Sequence, residues 1–196
     1  MPVKLVEFVR ANIVESTHYG SIAVVDSDGK LLYSVGDINR VTYFHSAAKP
    51  LQGIAALEAG IAEEFGLDLK EIAVIISSHS GEASHIEALN SIMKKTGFRE
   101  SAVQCGIADP VGAGVLKELY RNGMQLTSLH CNCSGKHLGM LAAASLKGYS
   151  LEDYNQAEHP VQQEIKRVIS DFAQYKPELT ATGLDGCGVP VFAMPL

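Results

Sequence analysis

The sequence predicts a mixed α and β fold in which antiparallel strands open the chain and helices follow. Two short apolar runs, Ile22-Ala23-Val24-Val25 and Leu31-Leu32-Tyr33-Ser34-Val35, flank the turn Asp26-Ser27-Asp28-Gly29-Lys30. Asp and Gly supply turn chemistry there, and Gly29 can take the positive φ of a hairpin bulge. Beyond residue 46 the apolar residues recur at three- and four-residue spacing, the period of a helix with one buried face. At 196 residues, 46% hydrophobic and 19% charged, the chain suits one globular domain with a core of useful size.

Taken in order, residues 3–9 read as a strand expected to pair with the 22–35 hairpin, and Val41-Thr42-Tyr43-Phe44 as an extended lead-in. The first helix is expected to begin at Ser46, a favoured N-cap, with Pro50 in the first turn, where a missing N–H costs least. Leu51, Ile54, Leu57 and Ile61 form its inner face, and Gly60 and Gly66 close it. Residues 71–78 are ambiguous: Ile72, Val74, Ile75 and Ile76 favour a strand, yet so short a run also suits a buried helix. After Ser80, read as an N-cap, the spacing of Ile86, Leu89, Ile92 and Met93 predicts a helix closed at Gly97. Two more are expected, one over Ser134–Leu146 stopped by Gly148, the other over residues 159–172 with Val161, Ile165, Val168 and Phe172 inward. The apolar close, Val189-Pro190-Val191-Phe192-Ala193-Met194-Pro195-Leu196, predicts a chain that stops inside a larger fold.

Composition excludes several functions. Net charge is −6 with both signs interspersed, and no basic stripe is present, so nucleic acid is not an expected partner. Residues 1–20 carry Glu7, Arg10, Glu15 and His18 and lack the apolar stretch of a secretory signal. No apolar run approaches a membrane span. The expectation is a cytoplasmic protein with no membrane partner, whose Cys105, Cys131, Cys133 and Cys187 are thiols or metal ligands rather than disulfides.

Four stretches can carry chemistry. In Ser46-Ala47-Ala48-Lys49, three-residue spacing brings a lysine amine toward a serine hydroxyl if both lie on a helix. A serine attacks only when a base takes its proton, and lysine serves as that base when burial or a nearby cation lowers its pKa. The plain alternative is a helix cap followed by a solvated lysine. Ser77-Ser78-His79-Ser80-Gly81-Glu82 sets three hydroxyls and a histidine at the end of a buried run; capping accounts for Ser80 but not for Ser77 and Ser78. His130-Cys131-Asn132-Cys133-Ser134-Gly135-Lys136-His137 gathers thiols, an amine and imidazoles before a helix, a setting that favours thiolate. From spacing alone a zinc site and plain buried thiols are equally compatible with it. Asp185-Gly186-Cys187-Gly188 permits close backbone approach to a ligand, or is a simple turn.

Together these stretches, with Glu15-Ser16-Thr17-His18-Tyr19-Gly20 and His159-Pro160-Val161-Gln162, resemble the rhizobial-type (class 3) L-asparaginase family, in order from residue 15 to the end. The resemblance implies an antiparallel sheet flanked by helices, of the serine β-lactamase and glutaminase kind, in one domain over residues 1–196 that is its amino-terminal portion. It implies hydrolysis of L-asparagine to L-aspartate and ammonia by a homodimer. It makes Ser46 and Lys49 a catalytic pair with Ser78 as the second serine, and Cys133, Lys136 and Cys187 the ligands of a zinc ion completed by water. His137 and Asp185 would line the substrate site. His45 stands where the family usually has Arg before the serine, and family chains continue past Leu196 to a second catalytic lysine. A catalytically impaired zinc- or ligand-binding fragment is therefore the first alternative. A penicillin-interacting serine enzyme is the second, since Lys95-Thr96-Gly97 matches one of its motifs; with no S-D-N present and an early helical position, that match reads as accidental.

Overall fold

A computed structural model describes residues 2–195, without the side chain of Leu179. The chain divides into two compact units, residues 1–43 with 193–196, and residues 44–192.

The first unit holds two hairpins. Strands β1 (Val3–Arg10) and β2 (Ile13–Gly20) pair antiparallel from Val3↔Gly20 to Arg10↔Ile13. β3 (Ile22–Val25) pairs with β4 (Leu31–Val35). The expected union of residues 3–9 with the second hairpin is thus replaced by a local partner. Ala11 and Asn12 at the first turn both have positive φ, 48° and 66°, the combination a tight two-residue hairpin demands. Such a local connection closes a far shorter loop than pairing with residues 22–35 would. Short β5 (Thr42–Tyr43) pairs with the end of β7 (Pro190–Met194).

The second unit is built around a helix buried along nearly its whole length. Helix α6 (Ser134–Leu146) is buried from Ser134 to Ala144. Apart from Ser134, Lys136 and His137 at its start, its buried residues are small or apolar, as suits a helix at a core's centre, and α1 (Lys49–Glu58), α2 (Ile61–Glu64), α3 (Leu69–Ile75), α4 (Ala83–Thr96) and α7 (Pro160–Ala173) all pack on it. Two glycines permit the closest approach. A Cβ on Gly135 would lie 2.0 Å from the Val74 carbonyl oxygen, and one on Gly139 2.6 Å from Ile75 Cγ2. Outside this cluster lies α5 (Val115–Arg121), and β6 (Ala181–Leu184) lies beside β7.

Local chemistry decided the ambiguous segments. The β-branched run through Ile75 is helical, part of α3, because Asp68 caps it, and residues 76–78 follow the helix. Asp68 Oδ1 accepts from the Lys70 and Glu71 N–H groups, and Glu71 Oε2 returns a bond to the Asp68 N–H at 2.6 Å. This capping box satisfies donors that a strand would leave to a neighbour. The first site helix begins later than expected: a 3-10 turn over His45–Ala48 precedes α1, and Ser46 makes no side-chain cap. Pro50 explains this, since it has no N–H for the Ser46 carbonyl, which the Lys49 N–H takes instead at three-residue spacing. Ser80 is likewise not the cap of α4; Glu82 occupies that position, and Ser80 Oγ bonds Glu82 Oε1 at 3.1 Å. Helix α7 buries Val161, Ile165 and Val168, but Phe172 is 62% exposed, two residues past the last buried position, Ser170.

Candidate functional site

The ends of α3 and α6 meet α1 around one amine. Lys49 is fully buried, and its Nζ lies 2.8 Å from Ser78 Oγ, 2.7 Å from the Asn132 carbonyl and 3.3 Å from the Ser77 carbonyl. Burial lowers its pKa; Cys133 pulls upward against that, and Lys136 adds to the lowering. The geometry suits either protonation state. An ammonium donates three bonds to the three oxygens. A neutral amine spends its two N–H bonds on the two carbonyls, which only accept, and turns its lone pair to the Ser78 hydroxyl. Ser46 Oγ is not among the partners of this amine: the three-residue spacing runs through a 3-10 turn, and Ser46 is exposed. Ser77 is accounted for by the helix it follows, its hydroxyl donating to the Ala73 carbonyl of α3 at 2.6 Å.

Beside the amine lie two thiols. Cys133 and Cys187 are both buried and free. Proximity to Cys133, then burial, pushes the Cys187 thiol up to about 11, against the downward pull of His137 and Lys136. Cys187 and Asp185 sit in the turn between β6 and β7, closed by bonds from the Asp185 N–H to the Val189 carbonyl and from the Gly188 N–H to the Asp185 carbonyl. Lys136, 3% exposed, holds its Nζ 3.7 Å from Asp185 Oδ2. His45 Nδ1 lies 3.4 Å from Asp185 Oδ1, and the Gly186 N–H donates to that same oxygen at 2.8 Å. Burial raises the Asp185 pKa, but the Gly186 N–H, Lys136 and His45 together outweigh it and hold the group below its ordinary value. His45 takes a left-handed backbone, φ 44°, uncommon for a residue with a side chain.

His137 is fully buried, with Nδ1 2.7 Å from the Tyr154 hydroxyl. That hydroxyl accepts from the Gln104 N–H at 2.9 Å, and burial holds it protonated, so its proton goes to His137 Nδ1. The neutral imidazole therefore carries its proton on Nε2, which makes no hydrogen bond of ordinary length among the described residues, although the Cys187 thiol is close enough to interact with the ring. Burial lowers the His137 pKa in turn.

Lys49, Ser78, Cys133, Lys136, His137, Asp185 and Cys187 are thus tied by hydrogen bonds, an ion pair and mutual electrostatics to one cluster, and Ser46 stands three residues before Lys49 on the same connection. The sequence reading missed the Ser77 and Asn132 carbonyls, which leave no trace in side-chain chemistry. It also missed Tyr154, whose polar neighbours, Glu152, Asp153 and Asn155, give no sign that its side chain is fully buried. The Lys95-Thr96-Gly97 motif is spent on structure. Lys95 Nζ bonds Glu71 and the Gly66 carbonyl, Thr96 Oγ1 bonds the Ile92 carbonyl, and Gly97 ends α4 in the left-handed conformation.

The sequence matches the L-asparaginase II family over residues 6–196. The chain belongs to that family. Asparagine hydrolysis is the activity this asparaginase family suggests, an amidohydrolase reaction on a small molecule. No curated protein matches the chain significantly. Among the described residues, no helix of this family member is long and apolar enough to cross a membrane.

Proposed function

We propose that the protein hydrolyses L-asparagine to L-aspartate and ammonia through a serine nucleophile with Lys49 as its base. The observation that carries this reading is the Lys49 amine, fully buried, with a lowered pKa and 2.8 Å from a serine hydroxyl. A neutral amine so placed takes the hydroxyl proton as oxygen attacks the side-chain amide carbon. The proton passes to the leaving nitrogen, ammonia departs, and water cleaves the resulting ester to aspartate and free serine. The geometry favours Ser78 over Ser46 as the hydroxyl activated; Ser46, exposed at the turn before α1, is the second hydroxyl. Asp185, ionised and 20% exposed at its side chain, suits the α-ammonium of the substrate, and the Nε2–H of His137, beside the Cys187 thiol, suits an acceptor. An architecture of the serine β-lactamase and glutaminase kind belongs to the same proposal.

Among the described residues no set of three His, Cys, Asp or Glu side chains is arranged to hold a metal ion. Cys133 and Cys187 nevertheless form an adjacent thiol pair, with the buried amine of Lys136 one turn along α6 as third donor. Soft sulfur ligands fit zinc. These three residues would hold the ion, with water completing the shell, and it would supply charge for substrate placement; both thiols and Lys136 must shed protons to bind it.

Ammonia release from L-asparagine, with zinc measured in the same sample, tests the reading. Ser78→Ala and Lys49→Met should abolish release, and an aspartyl ester trapped by acid quench should sit on Ser78. An ester on Ser46, with Ser78→Ala still turning over, would return the nucleophile's role to Ser46. Stoichiometric zinc with no ammonia release would favour the ligand-binding alternative, and full activity in Lys49→Met would end the proposal.

A further inference from the structure

The three oxygens around Lys49 come from two separate segments. Ser77 and Ser78 follow α3, whereas Asn132 precedes α6, and nothing in their sequence separation holds them together. Besides Lys49 itself, His79 links the two. His79 is 3% exposed, its backbone N–H points to the Asn132 carbonyl at 3.4 Å, and its Nε2 lies 2.8 Å from Ser134 Oγ. The Ser134 hydroxyl, fully buried, donates its single proton to the Leu129 carbonyl at 3.0 Å. It therefore accepts from His79, and Nε2 carries the hydrogen. On the other side of the ring, Nδ1 lies 3.2 Å from the Gly81 N–H, which donates to it. Every bond direction follows from the one before, and together they leave one state for the ring, the neutral Nε2–H tautomer.

We infer that His79 is a positioning residue that staples the Ser78 segment to the segment carrying Asn132 and Cys133, and so sets the distance from Lys49 to the serine it activates. The staple rests on the proposed Ser78–Lys49 chemistry for its effect on turnover, but its geometry stands apart from it. The groups facing the ring are His85, stacked at 5.5 Å between centroids, with Lys49 and His130 near by. All are basic, and none offers the ring a carboxylate. A second proton would sit on Nδ1 against the Gly81 N–H, so the ring works as a fixed donor and acceptor, not as a proton carrier.

Two variants separate its two bonds. Gln at position 79 reaches as far as Nε2 and keeps a donor for Ser134, while Asn keeps only an acceptor for Gly81. His79→Asn and Ser134→Ala should each lower kcat by about 10- to 100-fold with KM little changed, as a displaced reacting group does, whereas His79→Gln stays within about threefold. The double variant His79→Asn/Ser134→Ala should melt no lower than the worse single one, because both remove the same bond. Nitrogen NMR of the wild-type protein should show His79 protonated on Nε2 alone through the neutral range. A protonated Nδ1, additive melting losses, or His79→Gln as impaired as His79→Asn would overturn the inference. Should the wild-type protein release no ammonia from L-asparagine, the functional reading fails alone; the tautomer and the melting cycle still decide the staple.

Discussion

Replacing Gly135 by Ala adds one carbon where α6 lies directly against the backbone of α3. Its Cβ would stand 2.0 Å from the Val74 carbonyl oxygen, 2.7 Å from the carbonyl carbon and 3.3 Å from the Ile75 nitrogen, whereas ordinary contact begins at 3.4 Å. All three atoms are backbone, so no rotamer relieves them, and α3 and α6 must part by about 1.4 Å along that line. Overpacking of this kind costs about 3 kcal/mol. Alanine returns about 1 kcal/mol through its better helix propensity, leaving a net loss of about 2 kcal/mol. At this chain length that lowers Tm by roughly 4–8 °C. The same parting pulls Ser77 and Ser78, which follow α3, from Asn132, which precedes α6, so Lys49 can no longer bond both; turnover of L-asparagine should fall by about 100-fold. Gly114→Ala is the control, with nothing within 4 Å of its added carbon. Thermal melting and an ammonia assay on both variants decide the matter. A Gly135→Ala protein that melts and turns over like Gly114→Ala would refute the packing argument and the link from packing to site.

Glu71 should matter more than its place near a helix start suggests. It is 1% exposed and accepts from both the Asp68 N–H and Lys95 Nζ at 2.6 Å, so Glu71→Ala should cost about 3 kcal/mol in denaturant unfolding, by stranding a buried donor and an ammonium; a loss under about 0.5 kcal/mol, the range of neutral surface changes, would contradict this. Acid should expose His79, whose pKa is pushed down to about 4, first by burial and then by His85, Lys49 and His130, from an ordinary 6.5. The unfolded chain takes a proton between those values that the folded chain refuses, so this stability is whole above pH 6.5 and lost as pH falls toward 4. Allowing for solvent screening it amounts to about 2 kcal/mol. His79→Gln should show a correspondingly shallower loss across that window, and equal slopes would remove His79 from the acid response.

Much of the helical framework was legible because its signals are local. The span Ser134–Leu146 follows from a run of small and apolar residues stopped by Gly148, and the observed α6 has the same bounds. Pro160 with His159 before it marks the start of α7, where His159 Nδ1 accepts from the Val161 N–H at 3.2 Å. Failures came where a local rule met a second one. Ser46 has the composition of a cap, but Pro50 withdraws the N–H that a regular first turn needs. Residues 71–78 have the composition of a strand, but Asp68 and Glu71 close a capping box. Residues 3–9 found a nearer partner than the 22–35 hairpin because Ala11 and Asn12 accept positive φ.

By itself, the order of short motifs determined the family, since six weak matches in register are jointly specific, and it pointed to most of the side chains that gather around Lys49 in the candidate site. It also determined the helix breaks, which depend on Gly, Pro and capping residues acting within a few positions. Only the tertiary structure decided which hydroxyl meets the amine. Lys49 bonds atoms 28, 29 and 83 residues away, two of them backbone carbonyls that every residue possesses. Such contacts are set by how closely α3 and α6 approach, through Gly135 and the His79–Ser134 bond, and a distance between helices has no signature in the spacing along either one.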